Sequence, residues 1–560
     1  MSTIDQGLHA HPVIASARMI KSREVLWIAI ASFLLPVLIT EYHILQATNG
    51  HICYPVDDTF IHLAIAKNIV LHHVWGISPH GFTSASSSVL YPILLSGCML
   101  LFGVHAIIPL IINILAGIAF VIILQQWLIR QGVTPLMQLV ILFAVIAAIP
   151  LPVIVMCGME HTLQILFCFL FVYRFADEME KSDAGKVKTD DSVQTTWHLG
   201  WPVYLYGLLL MSIRYEGAII VATACLILLI RRKIATALLL GAVSMLPILI
   251  FGLYSIAHGN HFVPNSVSLK SAAPPLTYDG LSYFFSHGLF NDLFITEYGG
   301  YNLASTQRLL LLLSLVYLAF SQPIRRATRF TYVFLLLIPA VLAQLVFTTW
   351  GMFSRYEACL TGCSIVLISV LLALYGRKVL NKMPKQALWL AVLTGILLFI
   401  PIVLRIKYAF GLTYQASINI YEQQYQMGQF LGKYYPNTPV AFNDIGAVSW
   451  FTQGNNLDML GLGNVEVADN WARGSDIIPV FKKLVLQDSV KVAIIFDQSF
   501  PRALWGNWNK AASWQIPNNV ICLHNTVSFF SIYPTDTIAL QRNLRDFESV
   551  LPKEVVVRYY

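Results

Sequence analysis

The chain has 560 residues, 57% of them hydrophobic and 12% charged, with a mean hydropathy of +0.66 and a formal net charge of +7. Soluble domains carry roughly 25% charged residues, so this composition excludes a soluble multidomain protein. No basic stripe or recognition motif accompanies the positive excess, which excludes a nucleic-acid partner, and the chain reads as a multi-pass protein of the cytoplasmic (inner) membrane.

Arg18, Lys21 and Arg23 precede an apolar run from Val25 to Ile39. The run continues into "TEYHILQATNG" without a small-residue cleavage site, so it reads as a retained first helix rather than a signal peptide. A first outer loop follows over 47–104, opening with "YPVDDTFIHLAIAKNIV". Asp57 and Asp58 start a helical pattern with Ile61, Ile65 and Ile69 on one face, too short to span and expected at the interface. Five histidines crowd this loop, at His51, His62, His72, His73 and His80. Their spacing matches no structural zinc motif, and interfacial solvation is their expected role.

Apolar runs then recur to about Leu404. Each spanning helix needs about 20 residues, and cytoplasmic loops gather Lys and Arg. The cationic loops hold Arg130; Arg174, Lys181, Lys186 and Lys188; Arg231 to Lys233; Arg325, Arg326 and Arg329; and Arg377, Lys378, Lys382 and Lys385. All fall on the inner side if the chain makes about eleven spans with its N-terminus inside. That threading requires 86–102 to lie along the interface or re-enter. Residues 1–406 thus form a polytopic α-helical membrane domain with interfacial helices, and 407–560, of ordinary composition, an extracytoplasmic soluble α/β domain.

The outer face retains few cations before the soluble domain: Lys67, Arg214, Lys270, Arg308 and Arg355. Most sit in polar clusters that interrupt or cap apolar helices: "VDDTF", "GMEH", "RYEG", "VPNSVSLK" and "SRYEA". Ionisable groups near hydrocarbon are costly and face a cavity or a partner, so their convergence on one membrane face predicts one outward-facing site.

Either aspartate alone is explained as an N-cap; a pair of them is not. A carboxylate at the membrane surface suits abstraction of a proton from a hydroxyl. Arg214 and Arg355 suit phosphate recognition through the planar guanidinium fork, with Lys270 as a point charge. The structural alternative for each arginine is an internal pair with Glu160, Glu216 or Glu357. Glu160 and His161 read equally as a capped helix end or as donor-sugar contacts, and Asn265 as a supporting group. Asp444 in "FNDIGAVSWF" reads first as a turn residue, and Cys53 and Cys522 as two outer thiols between which a disulfide is chemically allowed. No cofactor is required; a divalent cation, if bound, takes Asp57 or Asp58 as its oxygen ligand.

The double aspartate, "GFTSASSSVLYP", the "GME" turn, the Arg-x-Glu-Gly turn, the Pro-Asn-x-x-x-x-Lys loop and the Arg-Tyr-Glu-Ala turn together resemble the GT-C glycosyltransferases, in pattern the arabinofuranosyltransferase-like branch. The resemblance covers about Glu24 to Arg405 and departs from the family at Tyr215, where a proline is common. It implies a polyprenyl-phosphate-linked sugar donor, a glycan, lipid or protein acceptor on the outer face, and inverting transfer with Asp57 or Asp58 as base. The rival reading is a polyprenyl-lipid or polysaccharide transporter or a noncatalytic envelope-assembly protein. A transporter calls for charges at mid-span or broken helices in repeated halves, and the sequence has neither.

Overall fold

The computed structural model describes residues 20–186, 199–270, 282, 328–347, 352–380 and 384–560. Arg18, Lys188, Arg308, Arg325, Arg326 and Lys382 lie outside the described residues, as do the side chains of Lys186, Lys270, Arg377 and Lys378. The helices are α1 (Ser22–Ala47), α2 (Asp58–His72), α3 (Leu90–Phe102), α4 (Ile108–Arg130), α5 (Pro135–Ala148), α6 (Leu151–Met156), α7 (His161–Lys186), α8 (Trp201–Ile213), α9 (Gly217–Ile230), α10 (Ile234–Ala257), α11 (Asn265–Lys270), α12 (Arg329–Phe347), α13 (Ala358–Leu380) and α14 (Lys385–Ile420).

Among the described residues, α1, α4, α10 and the Ala358–Gly376 part of α13 are long and apolar enough to cross a membrane, and five further apolar helices are shorter. Large apolar side chains stand exposed along α10 (Leu238, Ile250, Leu253) and α3 (Leu100, Leu101). Exposed surface of this kind is what a helix facing lipid presents, and the protein is a polytopic helical membrane protein. α3 has 13 residues, roughly 20 Å of helix against a hydrocarbon core of roughly 30 Å.

Charge is segregated along α7. Its C-terminal half carries Asp177, Glu180 and Asp183, which pair with Arg329 at the start of α12 and with Arg231 at the end of α9. Glu160, with Arg214, precedes its other end. Twenty residues of helix rise roughly 30 Å, so the two charged clusters are separated by about the thickness of a bilayer core.

The boundary expected at 406/407 falls inside a helix. α14 runs unbroken through it into a π-helical turn, Tyr421–Tyr425, and then α15 (Gln426–Tyr434). Composition changes at Lys407, but the backbone hydrogen bonding does not, so the C-terminal sheet domain grows from the last long helix without a linker.

Beyond it lie β1 (Val440–Phe442), α16 (Gly446–Phe451), β2 (Leu457–Asp458), α17 (Val465–Arg473), α18 (Ile478–Gln487), β3 (Val492–Ile495), α19 (Arg502–Trp505), β4 (Asn509–Gln515), β5 (Thr526–Ser531), α20 (Thr537–Glu548) and β6 (Val556–Tyr559). They form one six-stranded sheet in the order β2-β1-β3-β5-β4-β6. β1 is parallel to β2 and β3, and the remaining pairs are antiparallel. One face buries Trp514, Phe529 and Phe547 around Phe430 of α15, with ring centroids 4.3 to 5.9 Å apart. That aromatic cluster fixes the sheet to the helix leaving the membrane half.

Candidate functional site

The two adjacent aspartates point to different partners. Asp57 occupies the N-cap position of α2 but makes no side-chain cap bond to its own helix. Its Oδ2 and Oδ1 instead accept hydrogen bonds from the backbone N–H groups of Gly446 and Ala447, each at 2.8 Å. The N-cap expected from the sequence therefore exists on another helix: Asp57 caps α16, some 389 residues away. At the other end of α16, Lys67 Nζ donates to the carbonyls of Trp450 at 2.6 Å and Ser449 at 3.4 Å. A carboxylate at the amino end and an ammonium at the carboxyl end both complement the helix dipole. Residues 59–68 of α2 are buried on every face rather than on one, which corrects its reading as an interfacial helix, and α2 cradles one helix of the C-terminal sheet domain.

Position 446 admits only glycine in this arrangement, because a Cβ there would lie 2.1 Å from the Asp57 carbonyl oxygen and 2.5 Å from its carboxylate. The "NDIGA" turn was visible in the sequence, but its partner was not.

Asp58 faces the membrane half. Its Oδ2 accepts from Arg355 Nη2 at 2.7 Å, and its side chain keeps 23% exposure. Arg355 is buried, and its Nη1 lies 3.2 Å from Met159 Sδ. Its Nε is buried without a hydrogen-bond partner among the described residues. The turn that presents it is strained: Phe353 and Ser354 both lie at φ +60°, a left-handed conformation that costs of order 1–3 kcal/mol for each non-glycine residue and clusters at functional sites.

Next to Arg355, the Tyr356 ring joins the two arginines, with Arg355 Cζ 5.2 Å and Arg214 Cζ 5.1 Å from its centroid. His161 stacks on the same ring at 5.6 Å. Arg214, which follows α8, is fully engaged: Nε and Nη2 donate to Glu216 at 3.0 and 2.6 Å, and Nη1 donates to Glu160 at 2.7 Å. Glu160 also accepts from Ser87 Oγ at 2.8 Å and lies 3.2 Å from His62 Nε2. Ser86 meets the other nitrogen of His62 at 3.2 Å, so the serine-rich segment runs along the back of the network. Glu160 is delivered by the "GME" turn, where Gly158 at φ +64° lets the backbone pass so close to Tyr54 that a Cβ would lie 2.3 Å from its ring.

The structure therefore connects Asp58, Arg355, Arg214, Glu160, Glu216 and His161 in one network, with Asp57 beside it and bonded to α16. Glu357 is buried next to Tyr356. Asn265 lies apart from the network: it is buried and donates to the Gly461 carbonyl of the soluble domain at 3.2 Å. Lys270 ends α11, and its side chain lies outside the described residues. His62 is 2% exposed, with its Nε2 3.2 Å from Glu160 Oε2, which corrects its reading as an interfacially solvated histidine. Tyr356 and Lys67 had no assigned role from sequence, although "SRYEA" placed an aromatic ring between the charges.

Asp444, in the turn between β1 and α16, accepts from Gln424 Nε2 at 2.7 Å. It faces the site: burial first, and then repulsion by Asp444, pushes the Asp57 carboxyl up to about 7 despite the two amide bonds that oppose the shift. Burial also raises the Asp444 carboxyl, with Asp58 adding to it. Burial lowers the Lys67 ammonium to about 8.

Among the described residues, no group of three or more His, Cys, Asp or Glu side chains is arranged to hold a metal ion. Asp57 meets backbone amides and Asp58 a guanidinium, so the donor set of the pair does not fit an oxygen cage for a divalent cation. Cys53 and Cys522 are free buried thiols, and Cys522 Sγ bonds Gln424.

A family described as a domain of unknown function (DUF8728) matches residues 416–533. The matched stretch runs from the junction helix to just beyond β5 and includes Asp444, Gly446 and all of α16. No curated protein sequence matches the chain. Among solved structures, ArnT from Cupriavidus metallidurans bound to undecaprenyl phosphate is similar over 91% of this chain and 98% of that one, at 11% identity and a TM-score of 0.48.

Proposed function

We propose that the protein is a membrane glycosyltransferase of the GT-C type that moves a sugar from a polyprenyl-phosphate donor to a cell-envelope glycan, lipid or protein acceptor on the outer face. The observation that carries the reading is the 2.7 Å pair between Asp58 and Arg355, a reachable carboxylate beside a buried guanidinium at the end of the helical bundle opposite the basic loops. A lipid-borne sugar phosphate needs a base and a phosphate ligand at bilayer height, and these two groups supply both.

In this reaction Asp58 takes the proton from an acceptor hydroxyl as its oxygen forms a bond to the anomeric carbon. The anomeric carbon–phosphate oxygen bond breaks on the opposite side, which inverts configuration, and polyprenyl phosphate leaves with the electron pair. Phosphate is a good leaving group, so no acid is needed to protonate it, unlike the paired carboxylates of a glycosidase. Arg355, whose Nε has no hydrogen-bond partner among the described residues, is the phosphate ligand. Arg214 is held by Glu160 and Glu216 and acts as a positioning residue, through Tyr356. Asp57 docks the soluble domain, and the base role falls to Asp58.

The experiment is turnover by purified protein in lipid nanodiscs given a polyprenyl-phosphate sugar. Acceptor-dependent release of polyprenyl phosphate with glycosylated product is expected. Movement of the intact lipid across the bilayer without cleavage would assign the protein to the transporter class instead.

A further inference from the structure

The soluble domain carries a second concave site, on the sheet face opposite its aromatic core. Along β4, Ala512 and Trp514 pack inward, while Ser513 and Gln515 face the other way. Ser513 pairs with Arg558 of β6, and Gln515 with Thr526 of β5. A solvated face is ordinary for an antiparallel sheet. A cavity of about 580 Å³ is not, and this one is walled by Asp497, Trp505, Gln515, Asn525, Arg558 and Tyr560. Its volume lies in the range of small-molecule sites, roughly 300 to 1,000 Å³.

Its walls are pre-set. The Trp505 indole N–H donates to the Phe500 carbonyl at 3.1 Å, and its ring packs on Phe530 at 5.6 Å. Asp497 accepts from Lys510 at 2.9 Å and Ser528 at 3.0 Å. Lys510 also sits 4.6 Å over the Tyr560 ring. That leaves Arg558, exposed and without an ion-pair partner among the described residues. Two aromatic rings, several hydroxyl and amide groups and one uncommitted guanidinium form a distinctive set. A sugar ring offers an apolar C–H face to an aromatic ring and hydroxyls at its edge.

The cavity is linked to the Asp444 turn through the sheet. In the order β2-β1-β3, the chain leaves β1 toward one side and reaches β3 on the other, so the turns after these two parallel strands diverge. Here the two turns are tied by the Phe496 N–H, which donates to Asn443 Oδ1 at 2.9 Å. Asp444 of the site is the residue after Asn443, and Asp497 of the cavity is the residue after Phe496.

We infer that this cavity binds an oligosaccharide carrying an acidic group, with the sugar faces on Trp505 and Tyr560 and the acid on Arg558. The site is separate from the proposed transfer centre and does not require that centre to be catalytic.

The test is saturation-transfer NMR on the full chain in nanodiscs. The probes are soluble tetrasaccharides of gluco, manno and galacto configuration, each as the neutral sugar and as its uronic acid. At least one uronic acid is expected to bind, more tightly than its neutral counterpart. Arg558→Ala, at an exposed position, and Trp505→Ala are each expected to weaken that binding about tenfold, whereas Asp58→Asn leaves it unchanged. Three results would overturn the inference: no binding by any probe, equal binding by Arg558→Ala, or loss of binding in Asp58→Asn with retention in Trp505→Ala. The last would place the sugar at the transfer centre.

Discussion

Asp57 holds the backbone of Gly446, 389 residues away, through a 2.8 Å hydrogen bond, so the C-terminal sheet domain is fastened to the segment that follows α1. Lys67 grips the far end of α16, α14 runs unbroken into the junction, and Asn265 and His261 bond Gly461 and Asp469, so the C-terminal sheet domain is held at several points. The turn carrying Asp444 is thereby set beside Asp58, and the resulting site is built from both halves of the protein.

Gly446→Ala breaks the first attachment without changing charge. A Cβ 2.1 Å from the Asp57 carbonyl cannot be accommodated without moving α16. Loss of two hydrogen bonds to a carboxylate is expected to destabilise the docked domain by about 2–4 kcal/mol. Hydrogen exchange read by mass spectrometry should show faster exchange over α16 with the spanning helices unchanged; unaltered exchange there would remove the clamp.

The same carboxylate gives a pH dependence. Asp57 is raised to about 7 in the folded protein from an ordinary 3.8. The folded state keeps a proton that the unfolded chain releases, so this contribution to stability is full below about 4 and is lost as pH rises through about 7. The fall in melting temperature from pH 4 to 7 should be shallower in Asp57→Asn than in the wild type. Parallel curves would mean that Asp57 does not titrate there.

Glu160 is the acid on which most of the network converges. Glu160→Gln leaves the buried Arg214 short of one charge partner, and breaking a buried pair costs about 3–5 kcal/mol. A drop in thermal stability far larger than that of Ser87→Ala, about 1 kcal/mol for one hydrogen bond, is expected from paired melting curves.

The arginines separate by role. Arg355→Lys retains charge but loses the fork, and is expected to lower kcat/KM for the lipid donor at least about 100-fold with little change in melting temperature. Arg214→Lys, which loses a bidentate pair to Glu216, is expected to lose stability as well. Kinetics and melting of the two variants side by side check this.

Much of the site was legible because hydrocarbon leaves ionisable groups few places to go. Asp58, Glu160, Arg214 and Arg355 stood out in an apolar chain, and the need for partners predicted that they would meet. The division of labour between Asp57 and Asp58 was not legible, since it depends on an amide 389 positions away. His62 was misread because a histidine among histidines looks like interface, whereas its partner Glu160 comes from a distant turn. The domain boundary was drawn where composition changes, and a helix continues through it because composition and backbone hydrogen bonding answer to different constraints.

The most direct measurement compares Asp58→Asn with Asp57→Asn for release of polyprenyl phosphate from a lipid-linked sugar, at matched folding and expression. Loss of transfer by a factor of about 100 or more in Asp58→Asn, with measurable residual transfer in Asp57→Asn, is the predicted outcome. Wild-type rates in Asp58→Asn would contradict the assignment of that carboxylate as the base.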